Sequence, residues 1–311
     1  MTRSLVFWGL AVIVLAALPP VAAGLGQPFY IDLVRRMMIL AIAATSLNLI
    51  LGYGGMVSFG HAAYLGIGAY SVGILAFYGV TSGWVQWPAA MVASALVAAA
   101  IGAVSIRTSG VYFIMITLAF AQMLYYLSLS LELFGGDDGM RLKSRSQFSG
   151  LIDTGDAVSF YYVCLALMFA TVFLTHRIAN SRFGMAIRAT KSNDARSRSI
   201  GFSPYPYRLA AFVIAGALCG LAGALYANHT NYITPGLMSW TQSGDLMFMV
   251  ILGGMASTAG PMLGAFALLG LEEMFKGWTE YWPAILGPLL VLSVIFFKRG
   301  LAGIFHPDAR S

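Results

Sequence analysis

VYFIMITLAFAQMLYYLSLSL, residues 111–131, contains no acid and no base over 21 positions. A helix that crosses a bilayer needs roughly 20 mainly apolar residues, and this stretch supplies them with Gln122 as its one amide. Working outward, comparable apolar runs occupy Leu5–Ala22, Met37–Gly52, Met56–Phe77, Pro88–Ile106, Ala157–Thr175, Leu209–Ala227, Leu246–Leu263, Gly264–Phe275 and Ala284–Phe297. With Val111–Leu131 they make about ten spans, so the expected fold is all-α, a polytopic transmembrane helical bundle with some broken or short helices. The 311-residue chain is 59% hydrophobic and 10% charged, with mean hydropathy +0.79. Soluble domains carry about 25% charged residues. Too few charges remain to coat a soluble enzyme, and the balance is the reverse of disorder. Residues 1–311 therefore read as one transmembrane domain, with no room for a separate catalytic domain.

Two hydrophilic stretches orient the bundle. Residues 132–156 carry five acids and three bases, whereas residues 176–208 carry seven bases against Asp194 alone. Lys and Arg in short loops mark the cytoplasmic side, which places 176–208 inside and 132–156 outside. Counting spans from there puts Arg3, Arg107, Lys298, Arg299, Arg310 and both termini in the cytoplasm. Arg35 and Arg36 fall on the outer side; snorkelling at a span end, with Asp32 offsetting part of their charge, accounts for them. The formal net charge of +6 thus belongs to one face of a membrane protein and does not point to nucleic acid. Lipid and a docking partner are the implied neighbours.

Arg3, the apolar run Leu5 to Leu18 and the small residues Val21-Ala22-Ala23-Gly24 resemble a secretory signal peptide; they are read instead as a retained first span with Pro19-Pro20 at its outer end. Cys164 and Cys219 sit apart in apolar stretches and read as small buried residues. Glycine is abundant, at 35 residues, and much of it lies at helical spacing inside spans, where small residues let backbones approach in lipid. Gly52-Tyr53-Gly54-Gly55 and Gly253-Gly254 go further and are expected to loosen or break helices. Gly54-Gly55-Met56 and Gly253-Gly254-Met255 echo one another faintly.

No catalytic constellation emerges. The four His residues are scattered, none pairs at metal-ligand spacing, and no phosphate loop of the G-x-x-x-x-G-K-[ST] type is present. No cofactor or metal is implied. Asn228-His229-Thr230 fits a glycosylation triplet of a kind frequent by chance. Ionisable and polar groups inside spans are costly and hence informative. Ser58 and His61, in Ser58-Phe59-Gly60-His61, are candidates to line a translocation path, although a neutral imidazole bonded to a neighbouring helix carbonyl explains His61 equally. Glu272 and Glu273 precede Lys276 by four and three residues, which permits a simple helical ion pair. Gln122 and Asn48 read most simply as interhelical hydrogen-bond donors, and Gln122 is also a candidate path residue.

The basic segment is the richest. Ser181-Arg182-Phe183-Gly184 opens a stretch with Met185, Ala186, Ile187 and Ala189 interleaved with Arg188 and Lys191. Ser192 is placed to cap a helix starting at Asn193, with Asp194 at the positive end of its dipole. That helix runs through Ala195 and Arg198 to Ile200, where Gly201 gives a left-handed stop, with Pro204 beyond. A capped short helix between two spans reads as a docking element for a soluble partner.

Leu47–Tyr70 (LNLILGYGGMVSFGHAAYLGIGAY), Thr108–Tyr125, Ser181–Gly201, Tyr207–Ala227 and Ser243–Ala265 each resemble segments of the LivM-type branched-chain amino acid ABC transporter permeases, in the same order along the chain. The outer-loop stretch Gly135-Gly136-Asp137-Asp138-Gly139 resembles them too. The resemblance implies a permease subunit of a bacterial inner-membrane importer, without enzymatic activity of its own. It also implies a homologous second permease, two cytoplasmic ABC ATPase subunits and a periplasmic substrate-binding protein as partners. Residues 132–156 would then be a periplasmic loop and 176–208 the cytoplasmic coupling loop. Arg188, Ser192, Asn193, Asp194, Ala195, Arg198, Ile200 and Gly201 would carry the coupling to the ATPase. Where relatives have a Glu- and Ala-rich coupling stretch, this chain reads Asn193-Asp194-Ala195-Arg196-Ser197-Arg198-Ser199, so the groove that receives it should be acidic. A self-sufficient ion-coupled transporter is the alternative reading; only His61 and the Glu272–Glu273 pair would serve it as relays.

Overall fold

A computed structural model describes residues 2–24, 26–142, 144–148, 154–199, 201–296 and 300–305. Helices α1 (Thr2–Gly24), α2 (Phe29–Asn48), α3 (His61–Phe77), α4 (Gly83–Ser105), α5 (Val111–Ser130) and α6 (Ala157–Ala179) lead to two short ones, α7 (Arg182–Ser192) and α8 (Asp194–Ser199). The chain continues through α9 (Pro204–Thr230), α10 (Trp240–Gly253), α11 (Gly260–Lys276) and α12 (Trp282–Phe296). Helix α2 runs on into a π-helical turn, Leu49–Tyr53. Five stretches are long and apolar enough to cross a membrane: Phe29–Tyr53, Gly83–Ser105, Val111–Ser130, Ala157–Ala179 and Pro204–Thr230. The protein is therefore nearly all-α, and shorter apolar helices complete the bundle. Two short strands, β1 (Met140–Arg141) and β2 (Tyr232–Ile233), pair antiparallel with Met140 opposite Ile233.

Helix α2 is the axis of the core. Every residue from Met37 to Asn48 is buried, as befits a helix that is apolar all round. Helix α9 packs against α3 and α4 through its glycines. A Cβ on Gly223 would stand 2.9 Å from the Ala69 nitrogen and the Leu65 carbonyl carbon, and one on Gly220 would stand 2.8 Å from the Ala90 oxygen. Lipid offers no hydrophobic force between helices, so such close backbone approach supplies the dispersion contact that holds them.

Helix α1 does not stop at Pro19-Pro20; it continues through both to Gly24. Each proline removes the N–H that would have bonded the carbonyl four residues back, on Leu15 and Ala16. Those two oxygens accept instead from α6: Tyr161 Oη–H donates to Leu15 O at 2.8 Å and Tyr162 Oη–H to Ala16 O at 3.1 Å. Adjacent tyrosines thus match adjacent prolines.

One end of the bundle gathers residues 54–60, 106–110, α7, α8 and 254–259; the other gathers Asp32–Arg36, residues 78–83, 131–142 and 144–148, and the 229–235 turn. At the second end the hydrophilic segment is pinned to the C-terminus of α9. Ser146 N–H donates to Asn228 Oδ1 at 2.7 Å, and Arg145 Nε donates to Asn231 Oδ1 at 3.1 Å. Asn228 is wholly buried, with its amide nitrogen donating to Ala224 O at 2.8 Å; its triplet is packing, not a glycan acceptor. Cys164 and Cys219 are buried and free.

Three expectations are corrected here. The third run begins as helix at His61 rather than Met56, because residues 54–60 are non-helical around Gly55, whose φ is +68°. The spans drawn as Leu246–Leu263 and Gly264–Phe275 divide instead at residues 254–259, directly after the expected Gly253-Gly254 break: Gly254 and Ala256 both have positive φ, at 116° and 58°, and Pro261 lies in the first turn of the next helix. Arg35 does not snorkel. It is 4% exposed, forms an ion pair with Asp32 and donates from Nε to His229 Nδ1 at 2.9 Å. It also lies over the Phe160 ring at 5.2 Å from the centroid. A charge held in the bundle interior needs such partners. Lys143, residues 149–153, Lys298, Arg299 and Arg310 lie outside the described residues.

Candidate functional site

The basic loop folds as two capped helices rather than one. Ser181 opens α7 by accepting from Gly184 N–H at 3.3 Å. Ser192 is the last residue of α7, not a cap. Asn193 leaves the helix in an extended conformation, φ −158° and ψ 107°, and its Oδ1 accepts from Arg196 N–H at 2.9 Å. Asparagine is as good a cap as serine, and the amide oxygen reaches the first turn of α8 from a position that serine at 192 would have to unwind α7 to occupy. Gly201, at φ +86°, ends α8 as expected. Ile200 lies outside the described residues.

Charge holds this unit to the bundle. Asp194 forms ion pairs with Arg198 at 3.0 Å and with Arg208, at the start of α9, at 3.2 Å. Arg208 also donates to Thr190 O at 3.0 Å, and Arg188 donates to Ala179 O, at the end of α6, at 3.0 Å. Met185, Arg188, Ser192, Asn193, Ala195, Arg196 and Arg198 remain on the outer face. Lys191 is the link to the core: its Nζ donates to Gly52 O at 2.7 Å, in the π-helical turn that ends α2. A π turn marks a helix whose hydrogen-bond register is locally loosened.

The same turn touches the second glycine break. Asn48 Oδ1 accepts from Ala256 N–H and Asn48 Nδ2 donates to Ser257 O, both at 3.0 Å. His176 Nδ1 and Thr258 Oγ1 are 2.9 Å apart. The break at 254–259 thus packs on the end of α2, with Gly52 against the Ala256 nitrogen. Lys191, Arg208, Gly55, Ser109 and Gly110 line a cavity of about 170 Å³ there.

The candidate path residues are dispersed. His61, the first residue of α3, is fully buried and its Nε2 lies 2.8 Å from Ser46 Oγ. Ser46 donates its own proton to Ala43 O at 2.6 Å, so Nε2 carries the hydrogen and Nδ1, which has no partner, is bare. Ser58 is buried three residues before the start of the helix and accepts from Gly60 N–H at 3.3 Å. Gln122 is half-buried on α5. Glu272 pairs with Lys276 at 2.5 Å and faces Arg36 at 3.7 Å, while Glu273 follows it on α11. The structure therefore groups Glu272 with Arg36, and the others apart. Among the described residues no three His, Cys, Asp or Glu side chains gather as metal ligands would.

The family profile described as branched-chain amino acid transport system, permease component, matches residues 29–294. The chain belongs to this permease family. The LivM permease of Salmonella typhimurium, named as part of a high-affinity branched-chain amino acid transport system, is 28% identical over 97% of this chain and 76% of its own length. The Escherichia coli LivM permease is 29% identical over 96% and 75%. The Escherichia coli LivH permease is similar too, at 26% over 85% and 91%. No solved structure matches the chain significantly. Within the permease, sequence reasoning missed Asn193 as the cap, Lys191 as the tie to α2 and Asp245 on α10. The Asn-Asp pair after Ser192 was a visible signal for the first. Lys191 depends on a partner distant in sequence, and Asp245 on the helices that fold around the cavity it lines.

Proposed function

We propose that this permease is the membrane-spanning subunit of a bacterial ATP-driven importer that carries branched-chain or related amino acids across the inner membrane. The observation that carries the reading is the family match over residues 29–294. A second, homologous permease, two cytoplasmic ABC ATPases and a periplasmic binding protein complete the assembly. About ten spans cross the membrane with both termini cytoplasmic, residues 132–156 periplasmic and 176–208 cytoplasmic, in keeping with the positive-inside rule. The first helix stays in place as a span; its carbonyls matched to Tyr161 and Tyr162 support that.

The chain does no covalent chemistry in this reading. Nucleotide-driven closure of the ATPases displaces α7 and α8, through the outward face carrying Arg188, Ser192, Asn193, Ala195 and Arg198. Helices α6 and α9 flank that unit and tilt with it, while Lys191 passes the displacement to the π turn of α2. Residues 54–60 and 254–259 give the backbone room to bend, as irregular segments lining protein can at membrane depth. Contacts that differ between the two states supply the coupling, of order 1–3 kcal/mol. Ser58, His61, Gln122, Glu272 and Glu273 are the proposed polar groups along the path.

Asp194→Ala combined with Arg198→Ala tests the docking role. The variant is expected to insert normally yet lose co-purifying ATPase and uptake. Normal co-purification together with normal uptake would overturn it.

A further inference from the structure

A cavity of about 690 Å³ lies between α2, α10, α11 and α12. Small-ligand sites run from about 300 to 1,000 Å³, mostly apolar with a few polar groups. Its walls are leucines, among them Leu40, Leu268, Leu286 and Leu290, and its polar groups are Arg36, Asp245, Gln242 and Glu272. Glu272 is engaged by Lys276 at 2.5 Å, and Lys276 in turn lies 5.1 Å from the Trp282 ring centroid. Glu272 also faces Arg36 at 3.7 Å, and two of these groups keep unused capacity. Arg36 Nε is enclosed without an acceptor, and Asp245 makes neither a hydrogen bond nor an ion pair among the described residues. Of the two, Arg36 Nε is the buried one, and a buried donor without an acceptor demands an explanation; Asp245 is exposed on the cavity wall, and ionisable groups inside a membrane bundle are functional by default.

A guanidinium with its Nε donor unmet and an accessible carboxylate without a partner, on one apolar, leucine-rich chamber, are the complement of a zwitterion with an aliphatic tail. We propose that this cavity binds such a molecule, its anionic group on Arg36, its ammonium on Asp245 and its tail along the leucines. A branched-chain amino acid has this chemistry, and in that form the inference rests on the transport reading above. Phosphatidylethanolamine offers the same ammonium, anion and apolar tail, and the exposed lining residues Phe248 and Val291 leave the chamber open at the side of the bundle.

The full chain, reconstituted in nanodiscs of phosphatidylglycerol alone, is given tritiated leucine in one arm and phosphatidylethanolamine, read by native mass spectrometry, in the other. Saturable retention of one of them is expected. Arg36→Gln and Asp245→Asn should each weaken it roughly 10-fold or more, as loss of a charge-assisted hydrogen bond does. Leu286→Trp fills the apolar part without touching either charge and should weaken it too, which covers the case in which a charge variant fails to fold. Leucine retention identifies the transported solute, and lipid retention without leucine identifies a structural lipid. Retention of neither, or equal retention by wild type and folded variants, overturns the proposal. ATP-dependent uptake measured in parallel separates the outcomes: normal uptake with no binding here leaves the permease reading standing and removes only this site.

Discussion

Replacing Gly223 by alanine tests how the bundle is held together. The added Cβ would stand 2.9 Å from the Ala69 nitrogen and the Leu65 carbonyl carbon, and nearer still to the Leu65 oxygen, where ordinary contact begins near 3.4 Å. All three atoms are backbone of α3, so no rotamer change relieves the clash and α3 and α9 must separate. A gap of about 0.5–1 Å forfeits roughly a quarter to a half of the dispersion energy of the atoms involved. Overpacking of a tight interface costs about 1–3 kcal/mol, and a backbone-on-backbone clash belongs at the upper end. Three kcal/mol shifts the folded-to-unfolded ratio about 100-fold. Gly244→Ala is the control, because a Cβ there meets nothing within 4 Å and alanine favours the helix. Unfolding both variants by SDS titration in mixed micelles should show a large loss for Gly223→Ala and none for Gly244→Ala. Stability of Gly223→Ala within about 0.5 kcal/mol of wild type, the scatter of innocuous surface changes, would refute the close-packing argument.

Lys191→Met removes the bond to Gly52 O while keeping the aliphatic stem; uptake per ATP hydrolysed should fall roughly 10-fold or more with ATPase co-purification intact, a charge-assisted bond being worth about 1.5–3 kcal/mol. Tyr161→Phe with Tyr162→Phe orphans the Leu15 and Ala16 carbonyls, so α1 should loosen from α6, and a cysteine placed at Leu15 should gain maleimide reactivity. Asp156, capping α6, has its carboxyl held below the ordinary value by Ser159 N–H. A depressed folded-state value means stability present above the unfolded value and lost as pH falls through the folded one. Asp156→Asn should therefore be less stable than wild type at neutral pH and indistinguishable from it in acid, by melting across a pH series.

Local signals were legible in the sequence and long-range ones were not. The apolar run at 111–131 became α5 almost residue for residue, because a span's length follows from the bilayer alone. The fate of Arg35 was misread: Asp32 is visible three residues away, but His229 and Phe160 arrive only by folding. The break in the 246–275 region was ambiguous because Gly253, Gly254, Gly260 and Pro261 all permit one. Its place is fixed by Asn48, some two hundred residues earlier, whose side chain holds Ala256 and Ser257. Gly201 was read correctly since its left-handed φ needs only local information. Ser192 was not, since helix propensity let α7 run one residue further and pass the capping role to Asn193.

Transport by the reconstituted chain tests the central claim most directly. Proteoliposomes containing this permease with its partner permease, ATPases and binding protein should accumulate a branched-chain amino acid only when ATP is supplied. Vesicles holding this chain alone should accumulate none under a proton or sodium gradient. Gradient-driven accumulation by the chain alone would contradict the account.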